Sequence, residues 1–245
     1  MLLKDFNGYI KLSEVTDQEL LADIQRALSV TADGIYGPQT QTAFAAFKTK
    51  NHLGEPLMLG PSTAQALLKA SPQIVTMGQA KAIFGRSPTQ AQLDDLNSCL
   101  KRFDITTPAR IRHFMSQIAH ESGGLKWLLE LSSGSQYEGR RDLGNIYTGD
   151  GPKFKGAGVI QLTGRSNYKR LAEIVDDPQV LIQGAQYVAR RYPFTSAGVW
   201  WTANKMNQLI DAGASVRAVS KRVNGGFKGL ADRERYFAKA VRYIA

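Results

Sequence analysis

Pro108-Ala109-Arg110-Ile111-Arg112-His113-Phe114-Met115-Ser116-Gln117-Ile118-Ala119-His120-Glu121-Ser122-Gly123-Gly124 decides how the chain is read. Ile111, Phe114, Met115 and Ile118 recur at i, i+3, i+4 and i+7, one apolar stripe on a helix that turns about 100° per residue. Glu121 follows three residues after Ile118 and seven after Phe114, so it joins the same face. Ser122-Gly123-Gly124 then stops the helix. A carboxylate placed there faces a low dielectric and the negative end of the helix dipole, and both disfavour its charged form. An acid kept protonated near neutral pH is what cleavage of a glycosidic bond requires. The competing reading is a glutamate paired with a nearby Arg or His in a buried ion pair.

The totals bound the rest. A chain of 245 residues makes one large or two modest domains. Its 43% hydrophobic and 21% charged residues are an ordinary globular balance. No stretch approaches the 18 or so consecutive apolar residues of a membrane span. The N-terminus carries Asp5 early and lacks the apolar core of a secretory signal. A single cysteine, Cys99, rules out an internal disulfide and fits a reducing cytoplasm. It falls in the pattern Leu93, Leu96, Cys99, Leu100, Phe103 and reads as a small core residue. The net charge of +10 calls for an anionic partner: nucleic acid, a membrane surface or a bacterial wall. No nucleic-acid-binding signature accompanies it.

Two regions separate near Ala70 to Thr76. The first reads as three short helices, at Gln18–Leu28, Pro38–Lys48 and from Pro61 onward. Between the first two lies Thr31-Ala32-Asp33-Gly34-Ile35-Tyr36-Gly37-Pro38, where Asp33-Gly34 makes a tight turn and Gly37 relieves the backbone before Pro38. Some 50 residues give a thin core. Asp33-Gly34-Ile35-Tyr36-Gly37-Pro38-Gln39-Thr40 with Ala43-Phe44-Ala45-Ala46-Phe47 resembles the type 1 peptidoglycan-binding domain. Asp33 and Gly37 read as structural, with binding left to a groove that they shape.

From Met77 onward the periodicity predicts helices at 77–84, 90–103, 108–120, 167–173, 178–192, 197–204, 209–212, 214–223 and 229–244. Residues 132–164 differ, with eight glycines and little periodicity. A long irregular loop inside a compact domain is usually functional.

Glycoside hydrolysis needs a second, ionised carboxylate. Glu130 and Glu138 are the candidates. Nine residues of continuous helix rise about 13 Å and would put Glu130 on the face opposite Glu121. The two cooperate only if Gly123-Gly124 reverses the chain, which paired glycines permit. The return path would then bring the carboxyls within roughly 6.5–9.5 Å, the inverting separation. Otherwise Glu130 is a solvated helix-end charge. Glu138, close to Arg140 and Arg141, reads as structural.

His120-Glu121-Ser122-Gly123-Gly124, Tyr137-Glu138-Gly139-Arg140, Asp142-Leu143-Gly144-Asn145, Gly149-Asp150-Gly151 and Gly158-Val159-Ile160-Gln161-Leu162-Thr163-Gly164-Arg165-Ser166-Asn167-Tyr168 resemble glycoside hydrolase family 19. Val223-Asn224-Gly225-Gly226, Gly229-Leu230 and Asp232-Arg233 continue the likeness over about residues 77–245. The family holds chitinases and a branch of phage and bacterial endolysins. The resemblance implies Glu121 as general acid, Glu130 as general base in the endolysin branch, and Thr163 as holder of the attacking water. It implies Gln161, Asn167 and Asn224 as cleft residues; loop capping is the other reading for Gln161 and Asn167. Tyr137, Trp127, Trp200 and Trp201 offer sugar-stacking faces, with at least one of the adjacent tryptophans in the core. Where many relatives have Gly-Arg-Gly, this chain has Gly156-Ala157-Gly158, so that arginine's contact is missing or comes from Arg165 or Lys155. His52, His113 and His120 lack metal-ligand spacing, and neither metal nor cofactor is expected.

The fold expected is mainly α: a small three-helix module at 1–70 with its core at 17–70, a linker at 71–76, and a chitinase-like, lysozyme-like helical catalytic domain at 77–245 with a long irregular cleft loop. The function expected is hydrolysis of a β-1,4 bond in bacterial peptidoglycan with inversion; a chitinase or a non-catalytic wall-binding protein is the alternative. The expected partner is the anionic wall, with no nucleic acid, no stable membrane insertion and a monomeric chain. Without a signal peptide, the setting expected is the host cytoplasm of a phage, with release to the wall through a holin.

Overall fold

The computed structural model describes residues 3, 6–28, 30–70 and 74–245, and divides into two compact units, Met1–Gln73 and Ile74–Ala245. Fourteen α-helices and one two-stranded sheet are present among the described residues. No helix among them is long and apolar enough to cross a membrane.

In the first unit, α1 (Gln18–Ala27), α2 (Pro38–Lys50) and α3 (Pro61–Ala70) follow the expected starts, with Asp17 capping α1 at Leu20 N (2.9 Å) and Pro38 and Pro61 opening the others. The core reaches further back than residue 17. Leu3, Leu12 and Val15 are buried, and β1 (Ile10–Lys11) pairs antiparallel with β2 (Met58–Leu59). Two residues per strand leave no periodicity to read. The turn before α2 is clasped by one buried side chain. Gln25 Nε2 donates to Asp33 Oδ1 (2.9 Å), Ile35 O (3.0 Å) and Thr40 Oγ1 (3.0 Å), and its Oε1 accepts from Gly34 N (2.8 Å). Gly34 is required there, at φ +70 and with Gln18 O 2.7 Å from where a β-carbon would stand. Gly37 is not: at φ −149 and with no atom within 4 Å of a β-carbon, its backbone is open to any residue.

The second unit contains α4 (Met77–Phe84), α5 (Gln90–Arg102), α6 (Pro108–Glu121), α7 (Asp150–Lys153), α8 (Arg165–Val175), α9 (Gln179–Gln183), α10 (Ala185–Arg191), α11 (Thr195–Ala203), α12 (Met206–Asp211), α13 (Val216–Asn224) and α14 (Leu230–Tyr243). Thr76–Gln79 and Thr89–Gln92 form capping boxes at α4 and α5, and Thr107 and Pro108 start α6. Of the expected linker 71–76, Ser71–Gln73 lie outside the described residues, while Ile74–Thr76 belong to this unit. Asn97 Oδ1 takes both Ile74 N (2.8 Å) and Val75 N (2.9 Å), and Val75 is fully buried. The stripe at 178–192 is two helices. Gly184 turns between them at φ +70, where a β-carbon would lie 2.3 Å from Lys153 O.

Ile111, Phe114, Met115 and Ile118 of α6 are all buried, the face expected from their spacing. Phe114 meets Trp201 edge-on at 5.1 Å, and Cys99 is buried against Phe194 O. Buried Asp95 of α5 takes Phe194 N (2.7 Å) and Thr195 N (3.1 Å), fastening the start of α11. His113 is also inside, with Phe237 at 4.5 Å and no partner for Nδ1 among the described residues.

After α6 the chain turns through three consecutive left-handed residues, Gly123 (φ +57), Gly124 (φ +67) and Leu125 (φ +69). A β-carbon at Gly124 would stand 2.4 Å from Phe84 O. Gly124→Ala is expected to lower stability by roughly 2–4 kcal/mol, against about 1 kcal/mol for Gly139→Ala, which is left-handed but open; denaturant titration separates them. Burial pushes His113 down to about 4 from its ordinary 6.5. The unfolded chain therefore takes up that proton first. Stability is full above pH 6.5, falls between 6.5 and about 4 and levels below, and His113→Phe is expected to remove that part of the slope in thermal melts.

Candidate active site

A cleft of about 320 Å³ opens at the C-terminal end of α6. Glu121, Gln161, Thr163, Asn167 and Asn224 all line it, with Trp200 beside them. The two tryptophans divide: Trp201 is fully buried with Nε1 donating to Asn207 Oδ1 (2.9 Å), and Trp200 faces the cleft.

Glu121 is half-buried and does not sit in a purely apolar pocket. Arg233 of α14, with 1% of its side chain exposed, donates from Nη2 to Glu121 Oε1 at 2.5 Å and from Nη1 to Gln117 Oε1 at 2.7 Å. The ion pair weighed against the isolated acid is thus present. A guanidinium cannot shed its proton, and a buried one needs an anion. Glu121 also lines the cleft, and its Oε2 has no partner among the described residues. His120, one residue earlier, is held by Asp232 Oδ2 at Nδ1 (2.7 Å). Arg233 lay within the family-like string, yet its partner stands 112 residues away and no local pattern announces it.

Glu130 is not a solvated helix end. The turn at 123–125 sends the chain back, and Leu129 bridges Ala157, which bridges Leu162. Glu130 N donates to Gly156 O (2.9 Å) and Gly156 N returns a bond to Glu130 Oε2 (2.8 Å). Oε1 accepts from Ser132 Oγ (2.5 Å), Gln136 Nε2 (2.9 Å) and Tyr137 Oη (3.1 Å). Lys155 donates from Nζ to Ser132 O (2.7 Å), and its own carbonyl is held by the buried Tyr168 hydroxyl (2.6 Å). Burial alone would push the Glu130 carboxyl up. The donors Ser132, Gly156 and Tyr137, with the Lys155 charge, outweigh it and hold the group below its ordinary value. An ionised, desolvated carboxylate is the form that a base requires.

Glu130 and Tyr137 do not line the same cavity as Glu121. The two sets meet at Gly156, where a β-carbon would stand 3.0 Å from Glu130 Oε2 and 2.8 Å from Gln161 Oε1. Any side chain there would part the carboxylate from the cleft wall. Gln161 itself is left-handed (φ +57), held through Nε2 to Gly158 O (2.9 Å). Thr163 Oγ1 donates to Gln161 O (2.9 Å). Asn167 donates to Thr163 O (2.8 Å) and lines the cleft as well, so the capping and cleft readings both hold for it.

The long loop is more ordered than its composition suggests. Short 3-10 turns at Ser135–Tyr137 and Arg141–Leu143 precede α7. Glu138 is structural, although not through the arginines beside it: it accepts from Gly149 N (2.7 Å) and Gly151 N (2.8 Å), while Arg140 pairs with Asp142. Arg165 is committed to buried Asp150 through Nε (2.8 Å) and Nη2 (2.5 Å). Of the two cations proposed to replace the absent arginine at Ala157, Lys155 is therefore the one at the carboxylate. Among the described residues no cluster of three metal-ligating side chains gathers.

No family model matches the chain. A Haemophilus influenzae protein described as a glycosyl hydrolase family 19 domain-containing protein is 26% identical over 152 residues, 49% of this chain and 72% of that one. Chitinase C from Streptomyces griseus HUT6037 superposes with a TM-score of 0.56 at 17% identity, covering 70% of this chain and 76% of that one. The class IV, family GH19 chitinase from Zea mays gives 0.55 at 14% identity, covering 70% and 92%. The chain has the helical chitinase-like fold of that family, and sequence and fold together support a family 19 glycoside hydrolase domain.

Lys155→Met removes a cation that favours the ionised Glu130. The acid limb of the kcat/KM profile should then move to higher pH with the basic limb unmoved, Tyr137→Phe should shift it the same way, and Lys155→Arg should restore it.

Proposed function

We propose that the chain is a modular endolysin that cleaves the β-1,4 bond of bacterial peptidoglycan with inversion, the N-terminal unit anchoring it to the wall. The observation that carries this is the convergence at Gly156: Gln161, from the wall of the cleft that holds Glu121, and the carboxylate of Glu130 both crowd the space that a β-carbon there would fill. Glu121, paired with Arg233 through Oε1, takes a proton from solvent on Oε2 and passes it to the leaving oxygen, and the proton that Glu130 draws from the attacking water returns to solvent. Glu130 takes a proton from water, and Thr163 and Gln161 orient that water and the sugar by hydrogen bonds without competing for the proton. Ionised Glu130 and the half-buried Glu121 are two carboxyls in unlike surroundings, the division of labour that such hydrolysis uses.

Peptidoglycan is favoured over chitin by charge. A net +10 speeds encounter with an anionic wall and retains the enzyme there, and gives no such gain on a neutral polymer. The first unit offers a groove of about 500 Å³ between the end of α2 and α3, with Asn51, Gln65 and Lys69 among its polar lining, which supports an anchoring role. Chitin cleavage is the second reading, supported by what the solved relatives are named.

Glu121→Gln should lower lysis of permeabilised Gram-negative cells, followed by turbidity, by at least about a hundredfold, and Glu130→Gln likewise. Unchanged lysis by Glu121→Gln would remove the acid from the mechanism. Raising salt should slow wild-type lysis far more than cleavage of a chitin oligosaccharide.

A further inference from the structure

The helix that ends at the cleft edge with Val223 and Asn224 carries a charge excess that the hydrolytic machinery does not use. Residues 212–231 contain Arg217, Lys221, Arg222 and Lys228 and no acidic residue. Arg222 turns away to Asn204 O (3.3 Å). Arg217, Lys221 and Asn224 recur at i, i+4 and i+7 along α13, so they share one face, and Asn224 lines the cleft. That face runs about 10 Å outward from the cleft edge at 1.5 Å per residue.

The loop after α13 doubles back along the same face. Asn224 closes it, accepting from Gly226 N (2.8 Å) and donating to Lys228 O (2.8 Å), with Gly225 and Gly229 both left-handed. Gly229 is wedged against His120, whose ring would lie 2.2 Å from a β-carbon there, so the loop is fixed to the helix that carries Glu121. At its tip Phe227 is 44% exposed, with the Arg217 guanidinium 3.9 Å from the ring centre. Among the described residues no carboxylate pairs with Arg217, Lys221 or Lys228. Exposed cations held unpaired beside an aromatic face create a positive field that attracts carboxylates.

We infer that this α13 face, with Arg217, Lys221 and Lys228 around Phe227, binds the carboxylate-bearing peptide substituents of the glycan strand while the cleft takes its sugars. The inference rests on the peptidoglycan reading above. A neutral polymer has no group to satisfy three cations, whereas stem peptides present carboxylates at intervals along the strand. Contacts of this kind, partly screened, act on binding and not on the bond-breaking step.

The test uses the 245-residue protein, wild type and the triple variant Arg217→Gln/Lys221→Gln/Lys228→Gln. The substrates are uncross-linked peptidoglycan strands, the same strands with their peptide carboxylates converted to neutral amides, and chitohexaose. Blocking should raise the wild-type KM roughly tenfold, the size expected of a few screened charge contacts, with kcat nearly unchanged. In the variant, blocking should leave KM unchanged, and the cleavage rate on chitohexaose and the melting temperature should match wild type. A blocking effect equally large in both proteins overturns the inference while leaving peptidoglycan hydrolysis intact. A wild type that cuts chitohexaose but neither kind of strand defeats the peptidoglycan reading itself, and the inference with it. Loss of double-stranded DNA retention in the variant without any change in KM would assign the face to nucleic acid and likewise overturn it.

Discussion

A cation with 1% of its side chain exposed cannot be left without an anion, and Arg233 is such a cation. Its guanidinium joins α14 to α6 through Gln117 and Glu121, fixing where the end of α6 lies. From that end follow the left-handed turn at 123–125, the return of the chain to Gly156 and the position of Glu130. The same pair therefore has a structural and a chemical side. It holds one carboxyl oxygen of Glu121 and leaves the other without a partner among the described residues. Replacing Glu121 disturbs the buried charge as well as the reaction, so folding and turnover have to be measured separately in any variant at this position.

Glu130 is organised on the opposite plan. Its donors are all neutral, the Lys155 charge acting without a hydrogen bond, and they come from three places: the segment just after it, the loop turn at Ser135–Tyr137, and the strand-like run at 156. Four hydrogen bonds to one carboxylate fix its orientation and its ionised form together. The closeness of Gly156 to both Glu130 and Gln161 explains why a glycine stands there: the two side chains occupy the space that a β-carbon would fill.

What could be read from sequence was what depends on neighbours a few residues apart. The stripe Ile111, Phe114, Met115, Ile118 placed α6 and put Glu121 at its end, and all four residues are buried. The glycine pair at 123–124 announced a reversal that the backbone makes. The family-like string located the cleft residues Gln161, Thr163, Asn167 and Asn224, which do share one cavity with Glu121. What could not be read depends on separations of a hundred residues or so: Arg233 on Glu121, Asp95 on the start of α11. Gly184 inside an apparently continuous stripe broke a helix because Lys153 O crosses behind it, a fact of tertiary packing and not of periodicity. Gly37 erred the other way, a glycine in a turn-rich run whose backbone needs none.

Trp200 and Trp201 are adjacent in the chain and opposite in surroundings. One borders the groove; the other lies against Phe114 with its nitrogen tied to Asn207. Successive side chains on a helix point about 100° apart, enough to carry a pair of indoles from wet to dry. With exposed Trp127 replaced by Phe, their emission should separate two events: Trp200 fluorescence should respond to whatever occupies the groove, and that of Trp201 to the interior coming apart.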